Sequence, residues 1–505
     1  MTEPILEPTD HNNDESDVTY VSAGNSEKQR ASRDTKEDAN IVSWEPGDTE
    51  NPHTWSLKRK WFVTIVLNLL PLIVNLGPSI LSGSSEALEE EYNISSEVAI
   101  LVITLFLLGF TFGPLIFGPL SERIGRKIPI VIGVTLYATF WIPIALAQNF
   151  HTILICRFFC GLFGAASMSV TGGSIADVWP DPILRGIGID IFILAGFLGP
   201  MLGPVVGTFI ARSSLGWRWC AWISAIITYS FTIFFLFAVP ETYAPVLLTR
   251  KAHKLRMRTR NWALHSKLEE HDTDIKSFVR AYLLRPWILL LTEPIFLVVT
   301  IYMAFVYGLL FLFFEGFPIA FVEIRGWKPQ IGALPFLGLV IGQFVALAFA
   351  VYYSLTISKR EYRSAQGAIA PEHRLPPMIV GAVVLPPGMF WAAWTSQPST
   401  PWPAQVAAYI PVGAAIFLVF GQGFKYFVDV YLNVANSAIS GNTFARSFFG
   451  ATFPLFAPAL YHNLGVPWAT TLLAFISLVL APVPVVFYIY GKKIRSFSKN
   501  ALASV

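Results

Sequence analysis

The sequence predicts an all-α polytopic membrane protein, with twelve transmembrane helices arranged as two six-helix bundles. Three observations predict it. Hydrophobic residues make up 54% of the 505-residue chain and charged residues only 14%, with a mean hydropathy of +0.54, a balance that soluble globular chains rarely reach. The apolar residues are gathered into long blocks, and a bilayer core needs about 20 such residues per helical span. Blocks of that kind start near Trp61, Val98, Ile128, Thr152, Gly186, Trp219, Pro286, Ile331, Leu375, Trp402, Val434 and Pro467, twelve in all, with the longest loop after the sixth. Third, the basic residues are asymmetric. With the N-terminus inside, the cytosolic loops and tail after residue 57 carry 26 Lys and Arg, whereas the outer loops carry only Arg212, Arg218, Arg325 and Lys328. Orientation follows such counts in short loops, so both termini are expected in the cytosol.

The elements follow in order. Residues 1–57 form an acidic segment, with thirteen Asp and Glu in the first 50 positions and no apolar periodicity. Such a segment cannot offset its ordering entropy and is expected to be a disordered cytosolic tail. No cleavable signal peptide is visible, so the first span serves as its own insertion signal. The first bundle occupies 58–239 and a cytosolic connector 240–285. The connector carries ten Lys and Arg, as a solvated loop or as surface helices against the anionic inner leaflet. The second bundle occupies 286–490, and 491–505 is a cytosolic C-terminal tail. This plan suits a transporter whose halves rock about a midplane site. Cys156, Cys160 and Cys220 fall in or at the ends of spans, match no metal or redox spacing, and are expected to pack as small apolar residues. Asn93-Ile94-Ser95 is a glycosylation sequon on a predicted outer loop, close to the second span.

Between spans two and three, GPLSERIGRKIPI (118–130) packs Glu122, Arg123, Arg126 and Lys127 into six positions between apolar runs. Gly118 and Gly125 bracket a turn too short for a globular element. Positive charge alone would satisfy topology, so Glu122 needs another reason. A carboxylate there could pair with Arg126 or cap a neighbouring helix N-terminus, where the macrodipole favours an anion. In span five, GFLGPMLGPVVG (196–207) sets Gly196, Gly199, Gly203 and Gly207 at spacings of three and four, letting a neighbouring helix approach closely. Pro200 and Pro204 each free a backbone carbonyl and bend the helix.

These motifs resemble the major facilitator superfamily. GPLSERIGRK is similar to its loop 2–3 signature, with Glu122 where Asp is more usual, and GFLGPMLGPVVG to the antiporter motif of its drug:proton antiporters. PETYAPVLLTRKAHKLR after span six, PPMIVGAVVLPPGMFWAAWTS in span nine and FARSFFGATFPLF in span eleven resemble signatures of the fungal twelve-span branch. The resemblance covers roughly residues 51–495. It implies the major facilitator fold, a cytosolic latch between helices two and eleven built from Glu122, Arg123, Arg126 and Lys127, and export of drugs, toxins, polyamines or secondary metabolites. The matching loop of the second half, SKREYRSAQG, lacks the Gly-acid-Gly frame. The sugar-porter signature expected after span six is absent.

A buried ionisable side chain costs about 2.5 to 3.5 kcal/mol at a helix centre, so each one asks for a reason. Arg157, near the outer end of span four, lies in CRFFCGLFGAA, which resembles the RxxxG motif linked to proton transfer; the alternative is snorkelling to the interface. Arg446 should lie nearer the midplane of span eleven, as a cavity residue or bonded to backbone carbonyls. Proton coupling needs a carboxyl that desolvation keeps protonated in one state and that water or an Arg ionises in another. Glu293, two turns inside span seven, and Asp190, one turn inside span five, are the candidates, with Glu315 and Asp429 behind them. Asp177 and Asp429 sit at inner helix ends, where gating or capping is expected. Aromatic runs such as FVYGLLFLFFEGF (305–317) suit a flat, greasy substrate, cations included. Tyr307, Phe313, Phe314 and Gln343 are the expected cavity lining with Arg446.

The function expected is proton-coupled efflux of hydrophobic small molecules by alternating access, across a fungal plasma membrane. The proton gradient supplies the energy, without cofactor, metal or nucleic acid, and the protein is expected to be a monomer. A polyamine exporter is the alternative in the same fold, and a non-transporting sensor the alternative outside it. No GxxxxGK[ST] loop is present for ATP, and no intramembrane Asp pair, Ser–His set or HExxH for an enzyme.

Overall fold

The computed structural model describes residues 40–45, 47–270, 284–364, 370–431, 435–496 and 498. The disorder expected of the acidic tail falls on residues 1–39, outside that set, as do residues 271–283 of the connector and most of the C-terminal tail.

The helices are α1 (Leu57–Asn75), α2 (Ser85–Tyr92), α3 (Ser96–Ile124), α4 (Lys127–Ala145), α5 (Phe150–Val178), α6 (Pro182–Ala211), α7 (Arg218–Ala238), α8 (Ala244–Thr259), α9 (Arg285–Thr292), α10 (Pro294–Phe317), α11 (Phe336–Tyr353), α12 (Leu375–Trp394), α13 (Trp402–Val430), α14 (Ala435–Leu480) and α15 (Pro482–Arg495). Their starts follow local chemistry. Asn149 caps α5 by accepting from the Thr152 amide, and Asp181 caps α6 by accepting from Ile183, with Pro182 at the first helical position. Gly125, at φ +96°, ends α3 in a conformation that side chains rarely adopt.

Among the described residues, eleven helical segments are long and apolar enough to cross a bilayer. The last runs Ser437–Arg495, 59 residues, or about 90 Å at the helical rise against a hydrocarbon core of about 30 Å. Its backbone leaves the helical region at Gly465 (φ 75°, ψ 155°), two residues before Pro467. Span seven departs from expectation. It starts at Pro294 rather than near Pro286, because a proline ring cannot sit over the carbonyl four residues back, so α9 stops at Thr292 and Glu293 takes an extended backbone. Glu293 therefore marks a break and is not two turns inside the helix.

The chain separates into two compact units. The first joins the segment before Pro46 to Leu248–Asp272. In it Ile41 bridges to His265, with Val42 N donating to His265 O at 2.9 Å, so residues 40–45 are ordered where the sequence reading has a disordered tail. The connector is helical over Ala244–Thr259. The second unit holds the membrane helices. There α3 packs along α5, α10 along α14, and α13 against both α11 and α12. Pairings that join helices from before and after the connector include α3 with α14 and α6 with both α11 and α13. The three cysteines are buried free thiols.

Candidate functional site

The α3–α4 turn is built by two acids that the sequence reading passed over as partners. Arg126 Nε donates to the Asp177 carboxylate of α5 at 2.9 Å, its Nη1 donates to Ser121 Oγ, and its guanidinium lies 4.5 Å from the Tyr243 ring centre. Burial opposes its charge, but Asp177 holds Arg126 above the ordinary arginine range. Glu241, from the PETY segment after α7, accepts from the backbone amides of Arg126 and Lys127 at 2.8 and 3.2 Å, and from Thr242 and Tyr243 at 3.0 Å. That is an anion on the N-terminus of α4. A Cβ on Gly125 would stand 2.4 Å from Glu241 Oε2, so the glycine admits the carboxylate as well as turning the chain. Lys127 Nζ donates to Leu236 O at 2.7 Å. Asp177 thus pairs with Arg126 and Glu241, at the start of the connector, caps α4, while Glu122, whose charge also favours the Arg126 cation, lines a cavity with Gly118.

Charge-assisted bonds to a carboxylate contribute about 1.5 to 3 kcal/mol each. Glu241→Ala, which strips the acceptor from four amides, is expected to lower the unfolding temperature of the purified protein by several degrees. Glu122→Gln is expected to slow transport with little effect on stability, and equal melting of wild type and Glu241→Ala would refute the capping role.

The small face of α6 meets the broken end of the first span. A Cβ on Gly199 would lie 2.6 Å from the Asn75 carbonyl carbon, on Gly203 1.9 Å from Ser79 Oγ, and on Gly207 1.8 Å from Ile80 O. Gly196 faces the flexible end of Met168 instead. Pro200 and Pro204 are buried within α6. The same break is tied from the other side by Arg157, which is fully buried and donates to Gly77 O, Pro78 O and Val102 O at 2.7 to 2.9 Å. Three carbonyl contacts in the interior replace the snorkelling alternative.

The expected proton carriers separate. Asp190 is fully buried in α6, two turns from its start, and its Oδ1 lies 2.6 Å from Nζ of Lys425 in α13, which is 3% exposed. The pair links helices from before and after the connector. Lys425 is a correction to the charge count. The sequence count of 26 cytosolic basic residues includes it, but it is buried inside α13, which runs to Val430, and so does not face the cytosol. Glu293 is buried beside the break and accepts from Ser498. Asp429, at the end of α13, pairs with Arg374 at 2.9 Å.

Among the described residues, two cavities of the helical unit carry charged linings. One, of about 280 Å³, is near the end bearing the Gly125 turn, lined from α3, α5, α6, α13 and α14 and including Glu122, Arg126, Phe192, Phe420 and Arg446. The other, of about 270 Å³, is at the opposite end and includes Glu86, Glu89, Arg212, Phe314, Glu315 and His462. Of the expected lining residues, Arg446 faces the first and Phe314 the second. Tyr307, Phe313 and Gln343 line neither: Tyr307 stacks behind Arg446 and Phe420, Phe313 packs on Phe317 and Tyr409, and Gln343 is buried in α11. Asn93 is exposed in a left-handed turn between α2 and α3.

A central cavity between helices from both parts of the chain, walled by a five-helix set, is the geometry of a carrier. Residues 67–454 match the family model described as Major Facilitator Superfamily. The chain belongs to the major facilitator superfamily. This major facilitator is 44% identical to the MFS-type transporter acdC of Aspergillus candidus, over 94% of this chain and 93% of that one. It is 45% identical to the citrinin biosynthesis cluster MFS transporter mrr1 of Monascus ruber, over 92% and 93%. Among solved structures, the proton:xylose symporter XylE bound to 6-bromo-6-deoxy-D-glucose shares the fold at a TM-score of 0.62 and 18% identity, over 86% of this chain and 96% of that one. The protein is therefore a multi-pass membrane transporter related to fungal secondary-metabolite and drug transporters, and not an enzyme.

Lys425 and Glu241 are residues that sequence reasoning does not single out, and for Asp177, expected to gate or cap, it names no partner. Lys425 left one usable signal, a lysine four residues before Asp429 in an otherwise apolar run. Glu241 lies in the PETYAPVLLTRKAHKLR segment, 115 residues from the turn it caps.

Proposed function

We propose that this major facilitator is a proton-coupled antiporter that exports hydrophobic small molecules, such as drugs, toxins or a fungal secondary metabolite, by alternating access at the plasma membrane. Counting Ser437–Arg495 as two crossings about Gly465 gives twelve spans, in bundles at 58–239 and 286–490, with both termini cytosolic. The observation that carries the coupling is the Asp190–Lys425 pair. A buried carboxylate held by an ammonium from the other bundle can be released only when it is neutralised or when water reaches it, so proton binding and bundle separation become one event. Its neighbours Ile189, Phe192 and Phe424 line the central cavity, which sets the coupling site next to the cargo. Arg157 and Glu293 then serve as positioning residues. A polyamine cargo is less well supported, since three arginines line that cavity against two carboxylates. A relative named for a citrinin biosynthesis cluster favours a metabolite cargo.

Purified protein in liposomes should accumulate a hydrophobic fluorescent substrate against its gradient only when a pH gradient is imposed in the exchanging sense. Substrate movement indifferent to that gradient would remove proton coupling. Tags at residues 20 and 500 should be reachable in intact cells only after permeabilisation, and surface labelling of either would reverse the orientation.

A further inference from the structure

Arg446 presents a charge that the protein does not neutralise. It lies in α14, 4% exposed, and faces the central cavity. Among the described residues no carboxylate pairs with it, and its Nε has no hydrogen-bond partner. What meets the guanidinium is the faces of two rings, Tyr307 at 5.0 Å and Phe420 at 4.9 Å. Each such contact is worth about 2 kcal/mol when desolvated, whereas the effective penalty of taking one ion out of water is several kcal/mol. Of the other basic residues near the cavity, Arg126 is held by Asp177 and Lys425 by Asp190, and Arg185 is only half-buried, so Arg446 is the deeply buried cation there whose contacts are two rings.

We infer that Arg446 is the receptor for an acidic group of the cargo, so that the transporter's substrates are compact aromatic organic anions, carboxylates or acidic phenols, bound with the anion on the guanidinium and the rings against Phe192, Phe420 and Phe424. This rests on the exporter reading above and narrows it. The chemistry fits on three counts. A guanidinium offers a planar fork of donors that matches a carboxylate. Its polarity also reverses the sequence expectation of a cation on aromatic walls, because the Phe420 and Tyr307 faces already hold the protein's own cation. Finally, the cavity of about 280 Å³ is near the lower end of small-molecule pockets, about 300 Å³, which suits a few fused rings rather than a long chain.

The test uses the full-length protein in nanodiscs and matched probes on one skeleton: 2-naphthoate, its methyl ester and 2-naphthylmethylammonium, with binding read by calorimetry. The acid is expected to bind at least tenfold tighter than the ammonium. Arg446→Gln should cost the acid at least tenfold and leave the ester within threefold, while Arg446→Lys, which keeps the charge, should recover part of the loss. Monodispersity and unfolding temperature of each variant separate a folding defect from a binding one, and the Lys variant carries the conclusion if Gln fails to fold. Equal losses for all three probes, a tighter ammonium, or an acid that does not bind at all would overturn the assignment. Failure of the exporter reading looks different: the acid would bind selectively, yet a pH gradient would not drive its flux.

Discussion

Asp190→Asn is expected to abolish concentrative, proton-driven export and to flatten the pH dependence of whatever flux remains. The reason is geometric. Asp190 is fully buried and its charge is balanced at 2.6 Å by Lys425 from a helix after the connector, so the carboxylate's protonation state sets the attraction between the two helices. An amide of the same shape cannot release a proton, and the exchange loses one of its two ligands. The variant also strands a buried ammonium, and breaking one member of a buried pair costs about 3 to 5 kcal/mol. For that reason the double variant Asp190→Asn/Lys425→Gln is the needed control. It should regain much of the stability that Lys425→Gln alone loses and still fail to couple. Flux in liposomes at matched protein content, scanned over pH, reads the first effect, and thermal unfolding reads the second. Retained uphill export by the double variant would move the carrier to Glu293, Glu315 or Asp429.

Gly207→Ala should be among the most damaging single methyls in the protein, with little folded transporter reaching the membrane. The added Cβ would stand 1.8 Å from the carbonyl oxygen of Ile80, and a backbone atom cannot swing aside as a side chain can. Overpacking of a core costs about 1 to 3 kcal/mol for a methylene, and a backbone clash belongs at or above the upper end. Gly196→Ala is the internal control, because its Cβ would meet only the methyl end of Met168 at 3.1 Å. Alanine there should be neutral or slightly stabilising, by up to about 1 kcal/mol from helix propensity. Surface abundance and unfolding temperature would be compared for the two. If Gly207→Ala matched wild type in both, the contact between α6 and the first span would not be as close as Ile80 and Gly207 stand.

The sequence by itself determined that the chain is a helical membrane transporter of the major facilitator kind. Hydropathy and the basic-residue bias act span by span, as local transfer energies, and need no knowledge of which helix touches which. Motif glycines were readable for the same reason, since a three- or four-residue spacing puts Gly199, Gly203 and Gly207 on one face whatever packs there. Tertiary structure alone decided the partners. Glu241 lies 115 residues from Arg126, and Lys425 lies 235 positions from Asp190, so no local pattern links either pair. The position of Glu293 turned on a single proline, which ended a helix that hydropathy would have carried through. Arg446 shows the difference most plainly. From the sequence it was one basic residue in an apolar span; only the fold reveals that its neighbours are two rings and a cavity, with no acid to balance it. Solvation energy is local and legible along the chain, whereas the compensation of a buried charge depends on what three-dimensional packing brings within a few ångströms.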